Sequence, residues 1–266
     1  MLVSGTLREP DQRNCICGGG VRAWQWYIWV SGSRSVPDTF HPGARRPRCA
    51  PAIAYDAMPM TPDDLRHIAE QTLDYYNAHA ESFEAGTRDH DVRQNIDALL
   101  RHLAGTPPFD ILDLGCGPGR DLQAFRALGH RPVGLDGAER FVAMARQASD
   151  CEVWHQDLLA LDLPAQRFDG IFANAVLFHV PTAQLPRVLQ QLRATLRPGG
   201  ALFSSNPRGA NEEGWNRGRY GAYHDLDRWR ALMNAAGFDE LEHYYRPAGL
   251  PREQQPWLAS VWRPRA

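Results

Sequence analysis

Three glycines alternate with other residues in the segment 113–120, which reads Asp-Leu-Gly-Cys-Gly-Pro-Gly-Arg. Glycine lets a backbone turn tightly and approach a ligand closely. The segment leaves an apolar run and enters a helix-like pattern, so the free N–H groups of a helix start are available to an anionic group. Asp136 ends the next apolar run, where a carboxylate can accept hydrogen bonds from both hydroxyls of a ribose. These residue types and spacings predict a site for a nucleotide-like ligand.

The spacing of the glycines separates two kinds of nucleotide-like ligand. A dinucleotide-binding loop is expected to read G-x-G-x-x-G. Counted from Gly115, the third glycine position of that pattern is Arg120, whereas the observed glycines continue at Gly117 and Gly119. This departure disfavours an NAD(P)-dependent oxidoreductase, which stays as the alternative enzyme class.

The basic residues exclude several other chemistries. The chain has 266 residues, and all 29 of its basic residues are arginine. Without lysine there is no Schiff-base lysine for pyridoxal phosphate, no phosphate-loop lysine and no strand lysine of the protein-kinase type. The 31 acidic residues bring the net charge to -2. This balance disfavours a dedicated nucleic-acid binder and a polybasic membrane anchor.

Alternating strand and helix patterns must position the glycine loop. Hydrophobic patterning predicts strands at 109–114, 132–136, 151–154, 168–173, 201–205, 238–245 and 257–262. Caps and amphipathic spacing predict helices at 61–83, 89–103, 120–128, 138–148, 182–196 and 226–236. The segment 206–224, rich in Gly, Arg and Asn, is predicted to be a loop. Strands that alternate with helices imply a mainly parallel sheet with helices on both faces.

The first 57 residues differ from the rest of the chain. They contain Gly18-Gly19-Gly20, scattered prolines and no sustained helical or strand period. We predict that residues 1–57 are disordered, or are a wrongly assigned extension upstream of a start at Met58 or Met60. The apolar run 21–30 is too short to span a bilayer and does not resemble a signal peptide. Five cysteines at irregular spacing favour a reducing compartment and no metal site.

The order of motifs resembles that of the class I S-adenosylmethionine-dependent methyltransferases, in their small-molecule branch. The segments that carry the resemblance are 113–120, Asp136, 156–158, 168–171 and 196–200. It covers about Thr61 to Arg263 and implies an α/β, three-layer αβα, Rossmann-like fold. The sheet is expected to have seven strands, mainly parallel, with an antiparallel last strand. The resemblance also implies one methyltransferase domain over 58–266, with an N-terminal helical lid at about 61–104.

The resemblance assigns contacts with S-adenosyl-L-methionine to the matching positions. The implied cofactor-binding residues are Asp113, Gly115, Cys116, Gly117, Gly119, Arg120, Asp136, Gly137, Ala138, Asp157, Leu158, Asn174 and, from the lid, Tyr75. Within this set, Asp136 is expected to hold the ribose and Asp157 the adenine amino group, with Asn174 near the methionyl end. Asp157 and Asn174 also suit plain turn residues, so that interpretation stays open.

Methyl transfer from a sulfonium is an in-line displacement, which needs alignment of donor and acceptor and exclusion of water. A base is required only when the nucleophile is protonated. The candidate catalytic residues are His179, Tyr76 and Tyr220. The candidate acceptor-binding residues are His179, Arg208, Arg217, Arg219, Tyr223 and His224. Arginines beside aromatic residues predict a small anionic or aromatic acceptor. A core aromatic stripe, a structural histidine and a solvated loop are the alternative interpretations.

The predicted activity is methyl transfer to an N, O or S atom of a small molecule. Positions 174–177 read Asn-Ala-Val-Leu rather than the Asn-Pro-Pro-Tyr typical of enzymes that methylate exocyclic amines of bases or glutamine. No cysteine follows a proline, as cytosine-carbon methylation usually requires. We therefore expect a cytoplasmic monomer or homodimer that uses no nucleic acid, membrane or metal. A non-catalytic binding partner with the same fold stays as the alternative function.

Overall fold

The computed structural model of the protein describes residues 60–265. The prediction for residues 1–57 therefore lies outside the described residues. The described part opens with three helices, which are α1 (Pro62–Ala78), α2 (Ala80–Thr87) and α3 (Arg93–Leu100). The hydroxyl of Thr61 accepts the backbone N–H of Asp64, and the Asp64 carboxylate accepts the backbone N–H of Thr61. This reciprocal capping fixes the start of α1 where the sequence predicts it.

The prediction of one helix from Thr61 to about Phe83 is wrong, because the helix is interrupted at His79. The ring of His79 stacks on Tyr75 at 4.2 Å, and its Nδ1–H donates to the Tyr75 carbonyl at 2.7 Å. His79 has φ −117° and ψ 17°, outside helical geometry. A side chain that takes a backbone carbonyl competes with the helical ladder. The chain therefore changes direction between α1 and α2.

The main sheet has seven strands. They are β1 (Asp110–Leu114), β2 (Arg131–Asp136), β3 (Glu152–His155), β4 (Phe168–Asn174), β5 (Leu196–Pro207), β8 (Phe238–Arg246) and β9 (Trp257–Pro264). Their order across the sheet is β3-β2-β1-β4-β5-β9-β8, and β9 is antiparallel to both of its neighbours. The other pairings are parallel. The predicted seven-stranded, mainly parallel sheet with an antiparallel last strand is confirmed.

Helices cover both faces of the sheet. They are α3 together with α4 (Arg120–Ala127), α5 (Glu139–Ser149), α6 (Leu185–Thr195) and α7 (Leu226–Ala235). On one face, α6 and α7 pack on the strands through Leu189, Leu192 and Met233, which are fully buried. On the other face, Leu99 of α3 and Phe125 of α4 pack against the same strands. The predicted three-layer αβα architecture is confirmed.

The prediction of a loop over 206–224 is wrong, because this segment holds a β-hairpin. Its strands are β6 (Glu212–Asn216) and β7 (Arg219–Tyr223), and they pair only with each other. Arg217 has φ 51° and Gly218 has φ 83°, as both central positions of a type I′ turn require. Arg-Gly is not one of the dipeptides usually read as such a turn, so the sequence did not indicate the hairpin.

Two negative findings concern residues 60–265. No helix in this part of the chain is both long and apolar enough to cross a membrane. Its histidine, cysteine, aspartate and glutamate side chains form no group of three or more that could hold a metal ion. The described cysteines, Cys116 and Cys151, are both free thiols.

Candidate functional site

The glycine loop lies between β1 and α4, at the carboxyl edge of the sheet. Gly115, Gly117 and Gly119 all have positive φ, at 68°, 53° and 93°. A Cβ atom on Gly119 would lie 2.9 Å from the Cα atom of Ala145 in α5. The backbone N–H groups of Gly115 and Cys116 donate to the Leu135 carbonyl at 2.7 and 3.1 Å. The loop therefore requires glycine both for its backbone conformation and for its close packing.

Asp136, at the end of β2, binds the glycine loop directly. One carboxylate oxygen accepts the N–H of Gly117 and the other accepts the N–H of Ala138, both at 2.9 Å. Burial raises the pKa of this carboxyl, and the backbone hydrogen bonds oppose the rise. Each carboxylate oxygen has room for a further hydrogen bond. Asp136 can therefore order the loop and still accept ribose hydroxyls.

Asp113, at the end of β1, is 2% exposed. Its Oδ2 atom has no hydrogen-bond partner among residues 60–265. Burial and the nearby carboxylate of Asp121 raise the pKa of Asp113 well above its usual range. A buried polar atom without a partner is costly, and a cationic donor placed here would satisfy this atom and favour the carboxylate form.

Asn174, at the end of β4, belongs to a chain of buried polar groups. Its amide nitrogen donates to Asp121 at 3.3 Å, and its amide oxygen accepts from Asn95 at 3.0 Å. The Asn95 oxygen accepts from the Tyr244 hydroxyl at 2.9 Å. Asn95, fully buried on α3, was missed by the sequence analysis, and its only signal was an amide inside an apolar helix face. The chain fixes the orientation of the Asn174 amide.

The two N-terminal helices lie over the glycine loop and the end of β2. A Cβ atom on Gly137 would lie 2.7 Å from Leu73 of α1, and one on Gly117 would lie 3.8 Å from Phe83 of α2. The rings of Tyr76, Phe83 and Phe141 pack within 5.7 Å of one another. The predicted lid position of these helices therefore has a physical basis in apolar contacts with the loop.

Tyr76, His179, Arg219 and the Tyr220 carbonyl form one group, called here the Tyr76–His179 cluster. The Nδ1 atom of His179 lies 2.6 Å from the Tyr220 carbonyl, which can only accept, so Nδ1 carries the proton. The Nε2 atom lies 2.7 Å from the Tyr76 hydroxyl, which therefore donates to it. Arg219 donates to the Tyr76 oxygen at 3.2 Å. The cluster joins the lid, the segment after β4 and the hairpin.

His179 is uncharged in this cluster. Burial lowers its pKa to about 4, the Tyr220 carbonyl opposes this shift and Arg219 adds to it. Burial also raises the pKa of Tyr76, against the effect of Arg219. The raised pKa of the Tyr76 donor and the lowered pKa of the His179 acceptor both oppose proton transfer from Tyr76 to His179. The geometry favours His179 as a group that holds Tyr76 and the hairpin in place over His179 as a strong base.

The three candidate arginines of the acceptor site lie in different places. Arg219 lies over the rings of Tyr75 and Tyr76, at 4.8 and 5.5 Å, so it faces the lid. Arg217 is exposed at the hairpin turn. Arg208 donates to the carbonyls of Gln255 and Arg252, which ties the end of β5 to the segment before β9. The structure therefore brings Arg219, but not Arg208, to the Tyr76–His179 cluster.

The other predicted residues have local partners. The Asp157 carboxylate accepts the N–H of Leu159 at 2.8 Å and caps a short 3₁₀ helix that Leu158 begins. The Arg120 side chain binds Asp121 and the Thr87 carbonyl, which connects α4 to the end of α2. Burial raises the pKa of the Cys116 thiol. Burial likewise raises the pKa of the Tyr220 phenol, to about 12. The cofactor roles of Asp157, Leu158, Arg120 and Cys116 stay predictions.

Comparison with known proteins supports the class that this fold and loop define. Residues 111–200 match the model of a methyltransferase domain family. The chain is 35% identical over 141 residues to a malonyl-[acyl-carrier protein] O-methyltransferase of Erwinia pyrifoliae, covering 52% of this chain and 49% of that protein. It is 38% identical over 120 residues to a trans-aconitate 2-methyltransferase of Azoarcus sp., covering 42% of this chain and 46% of that protein. The chain thus spans about half the length of these relatives.

A solved structure with the same fold is that of the Burkholderia thailandensis 1,6-didemethyltoxoflavin-N1-methyltransferase, with bound 1,6-didemethyltoxoflavin and S-adenosylhomocysteine. The TM-score is 0.64 at 22% identity, over 79% of this chain and 93% of that one. The fold and the loop are those of a Rossmann-like methyltransferase. Residues 111–200 therefore form a methyltransferase domain of the class I S-adenosylmethionine-dependent type.

Proposed function

We propose that the protein transfers a methyl group from S-adenosyl-L-methionine to an N, O or S atom of a small molecule. The observation that carries this proposal is the glycine loop held by Asp136, through hydrogen bonds to Gly117 and Ala138. The matched relatives, which bear the names of small-molecule and acyl-carrier methyltransferases, support the same reaction class. When bound, S-adenosylmethionine supplies a methyl group attached to a positively charged sulfonium sulfur. After transfer of the methyl group, the sulfur is left as a neutral thioether.

The residues of the loop fit this cofactor. The Oδ2 atom of Asp113 is buried without a protein partner among residues 60–265, and an α-ammonium group is a suitable donor for it. Asp136 keeps capacity for the two ribose hydroxyls. Asp157 follows the end of β3, and Asn174 ends β4. Both strands end at the same edge of the sheet, so the two side chains lie along that edge. These four residues are our candidates for holding the cofactor.

The chain contributes alignment and exclusion of water. Phe83 places apolar surface over Gly117 of the loop, and Leu73 does the same over Gly137 after β2. Tyr76 and Phe141 pack with these residues in one apolar cluster. Alignment of two reactants in a dry site can supply much of a rate enhancement without a charged catalyst. We therefore assign Tyr76 and His179 to positioning within the reaction, and Tyr220 contributes through its backbone carbonyl. An acceptor that reacts through a protonated nucleophile would lose its proton to solvent or to a group outside this cluster.

The acceptor is proposed to lie between the segment after β4 and the hairpin. His179 and Tyr223 border this region, and the ring of Phe178 lies 6.0 Å from that of Tyr223. Arg219 supplies a positive charge next to Tyr75 and Tyr76. A small anionic or aromatic molecule would find both charge and ring surfaces here.

Calorimetric titration of the full chain with S-adenosylhomocysteine tests the cofactor, with NADH as the control. We expect micromolar binding of S-adenosylhomocysteine and none of NADH. Binding of NADH alone would show the alternative oxidoreductase function. Binding of neither would favour a non-catalytic binding protein with this fold.

We further propose a cytoplasmic monomer or homodimer without nucleic-acid or membrane partners. The net charge of -2 gives no support for binding to a polyanion. Light scattering of the purified chain, with and without S-adenosylhomocysteine, measures the oligomeric state. A mass above that of two chains would contradict this part of the proposal.

A further inference from the structure

A small cavity of about 10 Å³ lies next to Phe178 and to Ala222 of the hairpin. It is lined by Phe178, Asn206, Ala222, His224, Trp229 and Leu258. The ring of Phe178 also lies 3.9 Å from that of His179, so the cavity adjoins the Tyr76–His179 cluster. A cavity of this volume accepts one group of about the size of a water molecule.

Two of its lining side chains present buried polar atoms without protein partners. Asn206 and His224 are each 8% exposed. The Oδ1 atom of Asn206 and the Nδ1 atom of His224 have no hydrogen-bond partner among residues 60–265. Because leaving such an atom unpaired is costly, the pair indicates a ligand group with complementary hydrogen bonds.

The protonation of His224 follows from its neighbours. Thr182 donates its hydroxyl proton to the Glu213 carboxylate at 2.7 Å. The Thr182 oxygen, 3.4 Å from Nε2 of His224, can then only accept, so Nε2 carries the proton. Burial lowers the pKa of His224 and keeps the ring neutral. Its Nδ1 atom is therefore an acceptor, as Oδ1 of Asn206 is.

Two acceptors that line one cavity require two donor hydrogens. A carboxylate carries none, and a hydroxyl carries one. An uncharged amino group carries two, as a water molecule does, and neither needs a counter-charge in an apolar surround. The amino group of a bound molecule can take the place of such a water. The ring of Phe178, which lines the cavity and also contacts His179, suits a planar neighbour of that amino group on the side of the Tyr76–His179 cluster.

We propose that the cavity is a specificity subsite for an uncharged –NH₂ group of the methyl acceptor. The group donates one hydrogen to Asn206 and one to His224. This inference rests on the proposed function and narrows its acceptor class to aromatic amines and amino-substituted heterocycles. Any carboxylate of the acceptor lies outside this cavity.

Aniline, phenol and benzoate are the probes for this subsite. Each is titrated into the full chain by ligand-observed NMR, with and without S-adenosylhomocysteine. We expect aniline to bind at least about tenfold more tightly than benzoate, with phenol between them. Asn206→Leu and His224→Phe, which keep side-chain volume, should each weaken aniline about tenfold. His67→Phe, on the exposed surface of α1, is the matched control and should leave aniline binding unchanged.

Three results would overturn the subsite. They are benzoate binding as tightly as aniline, aniline binding that neither variant weakens, and no binding by any probe. If a variant does not fold, as judged by its circular dichroism, the preference of the unaltered chain among the three probes decides. Calorimetry with S-adenosylhomocysteine is a separate measurement. If the proposed function is wrong, this titration shows no binding heat, whatever the relative affinities of the three probes.

Discussion

His179 shows how burial sets the behaviour of a single side chain. Its pKa of about 4 in the folded chain lies below the ordinary value of 6.5. Between these two pH values the unfolded chain binds the proton more readily than the folded chain. The free energy of unfolding therefore falls as the pH falls through this window, by roughly 3 kcal/mol from this residue.

The variant His179→Gln isolates this contribution. We expect the variant to lose the part of the pH dependence between 6.5 and 4 that His179 causes, because glutamine does not titrate. Urea unfolding of both proteins at several pH values measures it, as the difference between the two curves. Parallel curves across this window would contradict a buried, neutral His179.

The hold of Asp136 on the glycine loop can be tested by replacing one of its carboxylate oxygens. In Asp136→Asn, one of the two backbone N–H groups, of Gly117 or Ala138, faces an amide nitrogen instead of an oxygen. Loss of one such bond to a charged group costs about 1.5–3 kcal/mol. We expect S-adenosylhomocysteine affinity to fall at least about tenfold in calorimetry. Glu139→Gln, one turn away and exposed, is the matched control and should bind normally.

The sequence predicted the residues of the loop but not their partners elsewhere. The glycines and Asp136 carry local signals, since a strand, a turn and a helix start follow each other directly. The contact of Tyr76 with His179 joins residues 103 positions apart. That contact forms only when α1 packs on the hairpin and the hairpin packs on the segment after β4. The same holds for Asn206 and His224, which are ordinary strand-end residues until the fold makes them line one cavity.

Among the elements, the hairpin depends on its turn. Gly218 has φ 83°, and a Cβ atom there would lie 3.2 Å from the ring of Tyr75. Gly218→Ala should lower the free energy of unfolding by about 1–2 kcal/mol, because left-handed backbone is unfavourable for alanine. Gly86→Ala, within α2 and with open space around it, should be neutral or stabilising by about 0.5–1 kcal/mol. Urea unfolding of both variants tests the contrast, and equal changes would contradict it.

Other elements show which parts of the fold could be predicted from the sequence and which could not. The start of α1 was predicted because its capping box is complete within four residues. Strands β1 and β4 were predicted most directly, because buried parallel strands are continuous apolar runs. The break between α1 and α2 at His79 was not predicted, because it depends on the stacking of the His79 ring on Tyr75. The hairpin was not, because its turn uses arginine at a position with positive φ.

At the scale of the whole molecule, the Tyr76 hydroxyl connects the lid to the segment after β4. Tyr76→Phe keeps the ring but leaves Nε2 of His179 without its donor. We expect faster amide hydrogen exchange across α1 with little change in the central strands, because the loss acts on one attachment. Tyr75→Phe is the control, since Tyr75 meets His79 and Arg219 through its ring. Equal exchange in both variants would show that the hydroxyl does not hold the lid.

The lid has a consequence for the order of events in turnover. Phe83 lies on the glycine loop, Leu73 lies on Gly137 after β2, and Tyr76 of the same helices contacts His179. One movement must therefore uncover both the cofactor loop and the neighbouring acceptor region. The lid therefore has to move once to admit the two substrates and again to release the two products. Steady-state kinetics should accordingly be sequential, with S-adenosylhomocysteine competitive against S-adenosylmethionine, and parallel double-reciprocal lines would contradict this.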